Sequence, residues 1–201
     1  MQTCINRVYL RGRVAVEPVF SHESHGVDYY GFFLAVSRLS GAEDLIRVLV
    51  SEPLLAALPC PVGQPVAVEG SLRSFNNKSN VGSRLIITVL AKELCEGYEP
   101  DENQVGLSGT LCKPPIYRRT PLGREICDLI LAVNRSYGRA DYLPCIVWGA
   151  GARRCAACGV GDKLTLEGRM QSREYIKLAD DIQVRKTAFE VSAGQVVVGE
   201  V

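Results

Sequence analysis

Short stretches of alternating apolar and polar residues, separated by turn residues, run through most of the chain. Near the start, Val8, Leu10 and Val14 alternate with polar positions that include Arg7 and Arg11. Residues two apart on an extended chain share a face, so this pattern predicts a half-buried β-strand. Similar patterns predict further strands over residues 30–36, 45–50, 65–72 and 84–94. The chain is therefore expected to be all-β.

One segment breaks the strand pattern. Ser51 is a favourable helix N-cap, and Pro53 suits the first turn of a helix. The apolar residues that follow reach Leu58, and Pro59 ends the segment. Three strands, a short helix and two strands is the order of the five-stranded Greek-key barrel called the OB-fold.

The chain repeats this pattern. The first matched segments are 6–12 with 103–109 and 34–38 with 131–135, at an offset of 97. The others are 62–63 with 160–161 and 68–70 with 166–168, at an offset of 98. Four matches at a near-constant offset indicate a tandem duplication. We therefore predict two tandem OB-folds, each with a short helix between strands 3 and 4; the second helix is expected over 150–158 and the last strand over 187–192.

The segment between the copies is acidic, contains Gly97 and Pro100, and has no apolar period. It predicts a linker rather than part of a barrel. The expected organisation is a first OB-fold over residues 1–96, an acidic linker over 97–102 and a second OB-fold over 103–201.

Composition narrows the classes of protein. The 201 residues are 47% hydrophobic, yet no apolar run is long enough to cross a membrane. Because no secretory leader is evident at the start, we expect a cytoplasmic protein. The eight cysteines are spread over apolar segments and are expected to be small buried hydrophobes.

The sequence motifs give little support for a metal site or for catalysis. Cys155 and Cys158 have the spacing of zinc ligands, but the second pair, His22 and His25, lies in the other copy. The chain has no phosphate-binding Gly-Lys-Ser/Thr loop and no G-x-S-x-G motif, and the second copy has no histidine. We predict no metal site, no cofactor, no small-molecule substrate and no enzymatic activity.

A basic and aromatic segment of the second copy suggests a binding function instead. On an extended chain Arg169, Gln171, Arg173 and Tyr175 share one face. Guanidinium groups beside an aromatic ring suit the alternating phosphates and unstacked bases of a single strand. The alternative is an ordinary solvated strand face with a partly buried tyrosine.

Residues 103–192 resemble bacterial single-stranded DNA-binding proteins of the OB-fold type. The resemblance rests on the opening 103–109, the turn 120–123, the segment 132–135 and the run 168–175. In that family four aromatic positions stack on bases, and alignment through Gly149 and Gly168 places them at Tyr137, Tyr142, Trp148 and Tyr175. All four are aromatic here, although aromatics make up only 7% of the residues. Core packing is the alternative, and it is strongest for Trp148.

Phosphate contacts are expected from basic residues around the same strands. Those of the second copy are Arg118, Arg119, Arg135, Arg139, Arg169 and Arg173, several of them expected in loops, and those of the first copy are Arg11 and Arg73. In the first copy Leu45, Val50 and Asn77 are expected at the positions of Tyr142, Trp148 and Tyr175. The second copy is therefore the expected main strand-binding domain, and the first has a degenerate aromatic set.

The resemblance implies sequence-independent binding and protection of single-stranded DNA in replication, recombination or repair. It further implies a nucleoid-associated protein and a homodimer that brings four OB-folds together. The family's acidic C-terminal tail is not expected here, which leaves the recruitment of partners open. The alternatives are a primosome-type protein–protein adaptor and a single-stranded RNA-binding protein; a metal-dependent nuclease is disfavoured because an acidic cluster is missing.

Overall fold

Two similar sets of strands follow one another along the chain. The computed structural model describes residues 5–77, 85–135, 138–179 and 182–199, with the backbone alone for 174–179 and 182–186. The first set is β1 (Asn6–Ser24), β2 (Val27–Ser37), β3 (Glu43–Ser51), β4 (Pro65–Asn76) and β5 (Leu85–Glu96), with helix α1 (Glu52–Ala57) between β3 and β4. The second set is β6 (Glu102–Leu111), β7 (Ile116–Arg119), β8 (Glu125–Asn134), β9 (Ala140–Trp148), β10 (Lys163–Ala179) and β11 (Ile182–Val198), with helix α2 (Ala150–Ala156) between β9 and β10.

Each set closes into a barrel. In the first, β1 pairs with β2, β2 with β3, β3 in parallel with β5, β5 with β4, and β4 with β1. In the second, the same ring is made by β6, β8, β9, β11 and β10, and β7 adds a short strand beside β8. The predicted all-β fold of two tandem OB-folds, each with a short helix between its third and fourth strands, is confirmed.

Several elements differ in length from the prediction. β11 is much longer than the expected 187–192, and it pairs with β10 out to Ala179 and Ile182. Hairpin strands stay paired beyond the barrel wall, where no core imposes an apolar pattern on the sequence. Arg118 and Arg119 lie in strand β7 and not in a loop as expected. Neither α1 nor α2, with six and seven residues, is a membrane span, and the described residues contain no helix long and apolar enough to be one.

The two cores repeat the duplication seen in the sequence. Leu10 and Leu34 are fully buried in the first barrel, and Leu107 and Leu131, 97 positions later, are fully buried in the second. Each buried leucine contributes about 1.5–3 kcal/mol relative to an exposed one. The same apolar pattern therefore stabilises both barrels.

A β-bulge at equivalent places bends β4 and β10. The pairing register shifts between Glu69 and Gly70 in β4 and between Glu167 and Gly168 in β10. A Cβ at Gly168 would lie 2.1 Å from the carbonyl oxygen of Ser192, and one at Gly70 would be equally crowded. Glycine is required at both bulges because only its absent side chain lets the neighbouring strand approach this closely.

The two barrels are joined through antiparallel pairing of β1 with β6. Val8 pairs with Val105, which is the same position 97 residues later. Equivalent residues therefore meet each other, and a local two-fold axis relates the two copies. The pairing merges all eleven strands into one continuous sheet.

Candidate nucleic-acid interface

The outer face of β9 carries two of the predicted stacking residues. Leu143, Cys145 and Val147 point into the barrel and are buried. Tyr142 and Trp148 occupy the opposite face by strand alternation. Tyr142 is 52% exposed, so its ring is available to a ligand.

Trp148 lies between the two environments considered from the sequence. Its position pairs with Ile126 of β8, and its indole Nε1 donates a hydrogen bond to Ser192 Oγ at 3.0 Å. The side chain is half-buried. The Trp148 side chain therefore lies outside the barrel core, and the hydrogen bond fixes the orientation of its ring on the outer surface.

The alternation predicted for β10 is seen in the structure, where β11 separates this strand from β9. Met170 is buried in the core, whereas Gln171 donates to Glu190 Oε1 at 2.7 Å on the other side. Arg173 is exposed, with its Nε 3.7 Å from the same carboxylate oxygen, and Arg169 is half-buried. This face carries positive charge, and Arg169 pairs with Ser192 of β11, the residue that accepts the hydrogen bond from Trp148.

Two of the predicted aromatic positions cannot be placed on this face. Tyr137 lies outside the described residues, and so does the side chain of Tyr175. The backbone of Tyr175 pairs with Lys186 in the β10–β11 hairpin. Their stacking roles stay predictions.

Basic residues at the far edge of the second barrel are paired with acids. Arg118 donates to both carboxylate oxygens of Asp128, at 2.6 and 3.2 Å, and the hydrogen bond raises the pKa of Arg118. Arg119 lies 3.5 Å from Glu125, and Arg139 is exposed in the turn before β9. Exposed ion pairs contribute only about 0–1 kcal/mol, so a phosphate can replace the carboxylate at little cost.

Arg135 and Arg73 are held by a buried carboxylate, in what we call the Asp141 cluster (Arg135, Asp141, Arg73 and Ser74). Asp141 is fully buried and accepts from Arg135 Nε at 2.6 Å, from Arg135 Nη2 and from Arg73 Nη1 at 3.4 Å. It also accepts from the backbone N–H of Ser74 at 2.6 Å, while Arg135 Nη2 donates to the Ser74 carbonyl at 3.2 Å. Burial lowers the pKa of Arg73 although Asp141 opposes this. The cluster joins β9 of the second copy to β4 of the first.

An equivalent Asp44 cluster (Arg38, Asp44 and Ser172) lies across the local two-fold axis. Arg38 donates to Asp44 through Nε at 2.7 Å and Nη2 at 2.5 Å. The backbone N–H of Ser172 donates to Asp44 at 2.8 Å, and Arg38 Nη2 reaches the Ser172 carbonyl at 3.3 Å. Each copy therefore uses an Arg–Asp pair to bind one strand of the other. These arginines hold the copies together instead of lying free for phosphates, as the sequence suggested for Arg135 and Arg73.

Arg11, which was expected to face outward and bind phosphate, is covered by other residues in the structure. Arg11 is 6% exposed, donates through Nε to the Pro100 carbonyl at 2.6 Å and forms an ion pair with Glu102 at 3.0 Å. Its guanidinium also lies 4.2 Å from the ring centroid of Tyr98. The segment between the copies covers this side chain, so it stabilises the junction.

The first copy lacks the aromatic pattern, with one correction to the predicted match. Ser51 pairs with Tyr29 of β2 as Trp148 pairs with Ile126 of β8, so Ser51 occupies the position of Trp148. Val50, the expected match, is buried in the barrel. Leu45 stands opposite Ala35 as Tyr142 stands opposite Ala132, which agrees with the expected match.

Cys155 of α2 belongs to the core, and Cys158, just after the helix, packs against it. Cys155 is fully buried, and burial raises the pKa of its thiol to about 12. Cys158 is half-buried, and its pKa is also raised by burial. Among the residues the structure describes, no group of three or more His, Cys, Asp or Glu side chains is placed to hold a metal ion.

Comparison with known proteins identifies relatives of this chain. The model of the Single-strand binding protein family matches residues 102–198, the second copy. Single-stranded DNA-binding protein B of Bacillus subtilis is 39% identical over 80 residues, which is 36% of this chain and 71% of that protein. Single-stranded DNA-binding protein 2 of Listeria innocua is 36% identical over 80 residues, 36% of this chain and only 50% of its own length.

The whole chain also has a structural counterpart. The crystal structure of the wild-type single-stranded DNA binding protein from Thermus aquaticus superposes with a TM-score of 0.78 at 23% identity, covering 98% of this chain and 94% of that one. At this identity the likeness shows the shared fold of two linked barrels. The family model matches the second copy, and the chain covers 71% of a relative that is 39% identical, so the chain belongs to the single-strand binding protein family.

Proposed function

We propose that the chain binds and protects single-stranded DNA without reading its sequence, in replication, recombination or repair. The observation that carries this proposal is the outer face of the second barrel. There Tyr142 is exposed, Trp148 is oriented by Ser192 of β11, and the cations Arg169 and Arg173 lie one strand further on, in β10. Rings for bases next to guanidinium groups for phosphates are the two elements of non-specific single-strand binding.

The mode of action is binding and not catalysis. Relatives named as single-stranded DNA-binding proteins support a role on exposed DNA, in the cytoplasm and at the nucleoid. A phosphate would displace Asp128 from Arg118, because this ion pair is exposed and weak. Arg173 is exposed and would turn its guanidinium to a phosphate, leaving the buried Glu190 to its hydrogen bond from Gln171. The division into a first OB-fold (1–96), a linker (97–102) and a main strand-binding OB-fold (103–201) belongs to the same proposal.

Assembly into a homodimer with four OB-folds is part of the proposal. One chain already supplies two barrels related by a local two-fold axis. Two chains would provide four barrels around which a strand can wrap. Sedimentation at micromolar concentration tests this, since a species of 21.9 kDa alone would contradict it.

Titration with oligo(dT), followed by tryptophan fluorescence, tests strand binding. Trp148 is the only tryptophan, so quenching reports on one defined ring. Tyr142→Ala should weaken binding by about 1–3 kcal/mol because it removes an exposed stacking ring. Leu45→Ala, at the equivalent exposed position of the first copy, is the matched control and should leave the affinity unchanged.

The outcome of this titration can contradict the proposal directly. Unchanged fluorescence and no retardation of labelled oligo(dT) at micromolar protein would overturn strand binding. Tighter binding of oligo(U) than of oligo(dT) would instead identify RNA as the ligand, because a stacking face does not itself distinguish the two sugars.

A further inference from the structure

The Asp141 and Asp44 clusters share the Arg–Asp pair and its hydrogen bonds to a serine of the other copy, but their neighbours differ. Beside the Asp141 cluster lie Phe75 of the first copy and Tyr142 of the second. At the equivalent places beside the Asp44 cluster lie Arg173 and Leu45. One junction between the copies therefore has two aromatic side chains, and the other has none at these positions.

A hydrogen bond brings the segments that carry Phe75 and Tyr142 together. The backbone N–H of Tyr142 donates to Ser74 Oγ at 2.9 Å, and Ser74 directly precedes Phe75 in β4. The Cζ of Arg135 lies 5.7 Å from the centroid of the Phe75 ring, and its guanidinium binds Asp141, the residue before Tyr142.

Both aromatic side chains remain open to a ligand. Phe75 is 39% exposed and Tyr142 is 52% exposed. An exposed phenylalanine gains nothing from water, whereas an unstacked base offers it a flat partner. Because Asp141 already neutralises Arg135, this arginine orients the Phe75 ring and is not a free phosphate ligand.

We propose that Phe75 and Tyr142 form one base-stacking platform across the two copies, and that bound DNA passes from the second barrel to the first at this junction. The proposal rests on the proposed single-strand binding and extends it to a residue of the copy that lacks the family's aromatic set. It is favoured over a protein ligand because the platform continues the outer face of β9, which also carries Trp148.

The platform predicts that the effect of Phe75 depends on oligonucleotide length. A strand of about 5–8 nucleotides can be held by one barrel, since one OB-fold covers roughly 4–16 nucleotides. Phe75→Ala should leave the affinity for such short oligo(dT) unchanged and weaken binding of oligo(dT) of about 30 nucleotides roughly tenfold. Leu45→Ala, beside the aromatic-free junction, is the control and should change neither.

Two further measurements separate stacking from packing. Phe75→Leu keeps an apolar side chain over Arg135 but removes the ring, so it should lose as much affinity as Phe75→Ala while keeping the melting temperature of the parent protein. Irradiation of a complex with 5-iodouracil-substituted oligonucleotide should crosslink Phe75, identified by mass spectrometry of the tryptic peptides.

The possible outcomes are distinct. Failure of the parent protein to bind any oligo(dT) would overturn the proposed function itself. If the parent binds and Tyr142→Ala weakens it, but Phe75→Leu retains full affinity for long strands and no crosslink forms at Phe75, the platform is wrong. Long-strand affinity lost in proportion to short-strand affinity would equally contradict it, because the ring would then act within one barrel.

Discussion

Removing the charge of Asp141 should weaken the junction between the two copies. Asp141→Asn keeps the size of the side chain and one oxygen acceptor, but it leaves Arg135 and Arg73 without their shared anion. The two guanidinium groups then repel each other in a partly buried site. The effect should appear in stability, because the cluster joins β9 to β4.

The structure bounds the size of this effect. Breaking a buried ion pair by removing one partner costs about 3–5 kcal/mol. Arg135 and Arg73 keep 22% and 21% side-chain exposure, so water compensates part of the lost attraction. We expect a loss of roughly 2–4 kcal/mol, which lowers the melting temperature of a chain of this length by about 6–12 °C.

The equivalent change across the two-fold axis is the matched control. Among the described residues, Asp44 forms an ion pair with one arginine and Asp141 with two. Asp44→Asn should therefore be the milder variant. Thermal melting followed by circular dichroism measures both, and a melting temperature for Asp141→Asn within 2 °C of the parent protein, or above that of Asp44→Asn, would refute the reasoning.

Three further predictions follow from the charge, glycine and cysteine positions. Oligo(dT) affinity should fall with salt by about −0.7 log unit per log unit for each phosphate contact, and an affinity independent of salt would contradict the electrostatic part of the proposal. Gly168→Ala should lower the free energy of unfolding by at least ~3 kcal/mol, because its Cβ would lie 2.1 Å from the Ser192 carbonyl oxygen. Gly194→Ala is the control: its Cβ would meet nothing within 4 Å, so the melting temperature should change little. Iodoacetamide at pH 8 should label the exposed Cys95 but not Cys155. Burial raises the pKa of Cys155 to about 12, so its thiol stays protonated at pH 8. Equal labelling of both cysteines in the native protein would disprove this.

The strand pattern and the repeat predict the fold because both are local properties of the sequence. Val8 and Leu10 alternate with polar residues, and the same alternation recurs 97 positions later. The offset predicts two copies but not how they face each other, since that depends on contacts between distant segments. Arg11 is an example. The alternation correctly places its side chain outside the barrel core, but the alternation cannot show that Glu102 pairs with this side chain.

The Asp141 and Asp44 clusters could have been predicted in part from the spacing of arginine and aspartate in the sequence. Arg38 and Asp44 are six positions apart, and so are Arg135 and Asp141. An Arg–Asp spacing repeated in both copies indicates a paired guanidinium, which is a poor candidate for phosphate binding. The serine partner of each pair lies in the other copy, so no spacing could have identified it.

Because the two barrels belong to one chain, dilution of the protein does not separate them. The pairing of Val8 with Val105 lies within one chain, so each barrel meets its partner at an effective concentration on the order of millimolar. Two barrels on separate chains would part when the protein becomes scarce, whereas these remain paired at any cellular abundance. In a homodimer of single barrels, every substitution appears in both barrels. In this chain each barrel has its own sequence, so a substitution changes one barrel only. Leu45 and Tyr142 can therefore differ although they occupy equivalent positions at the interface.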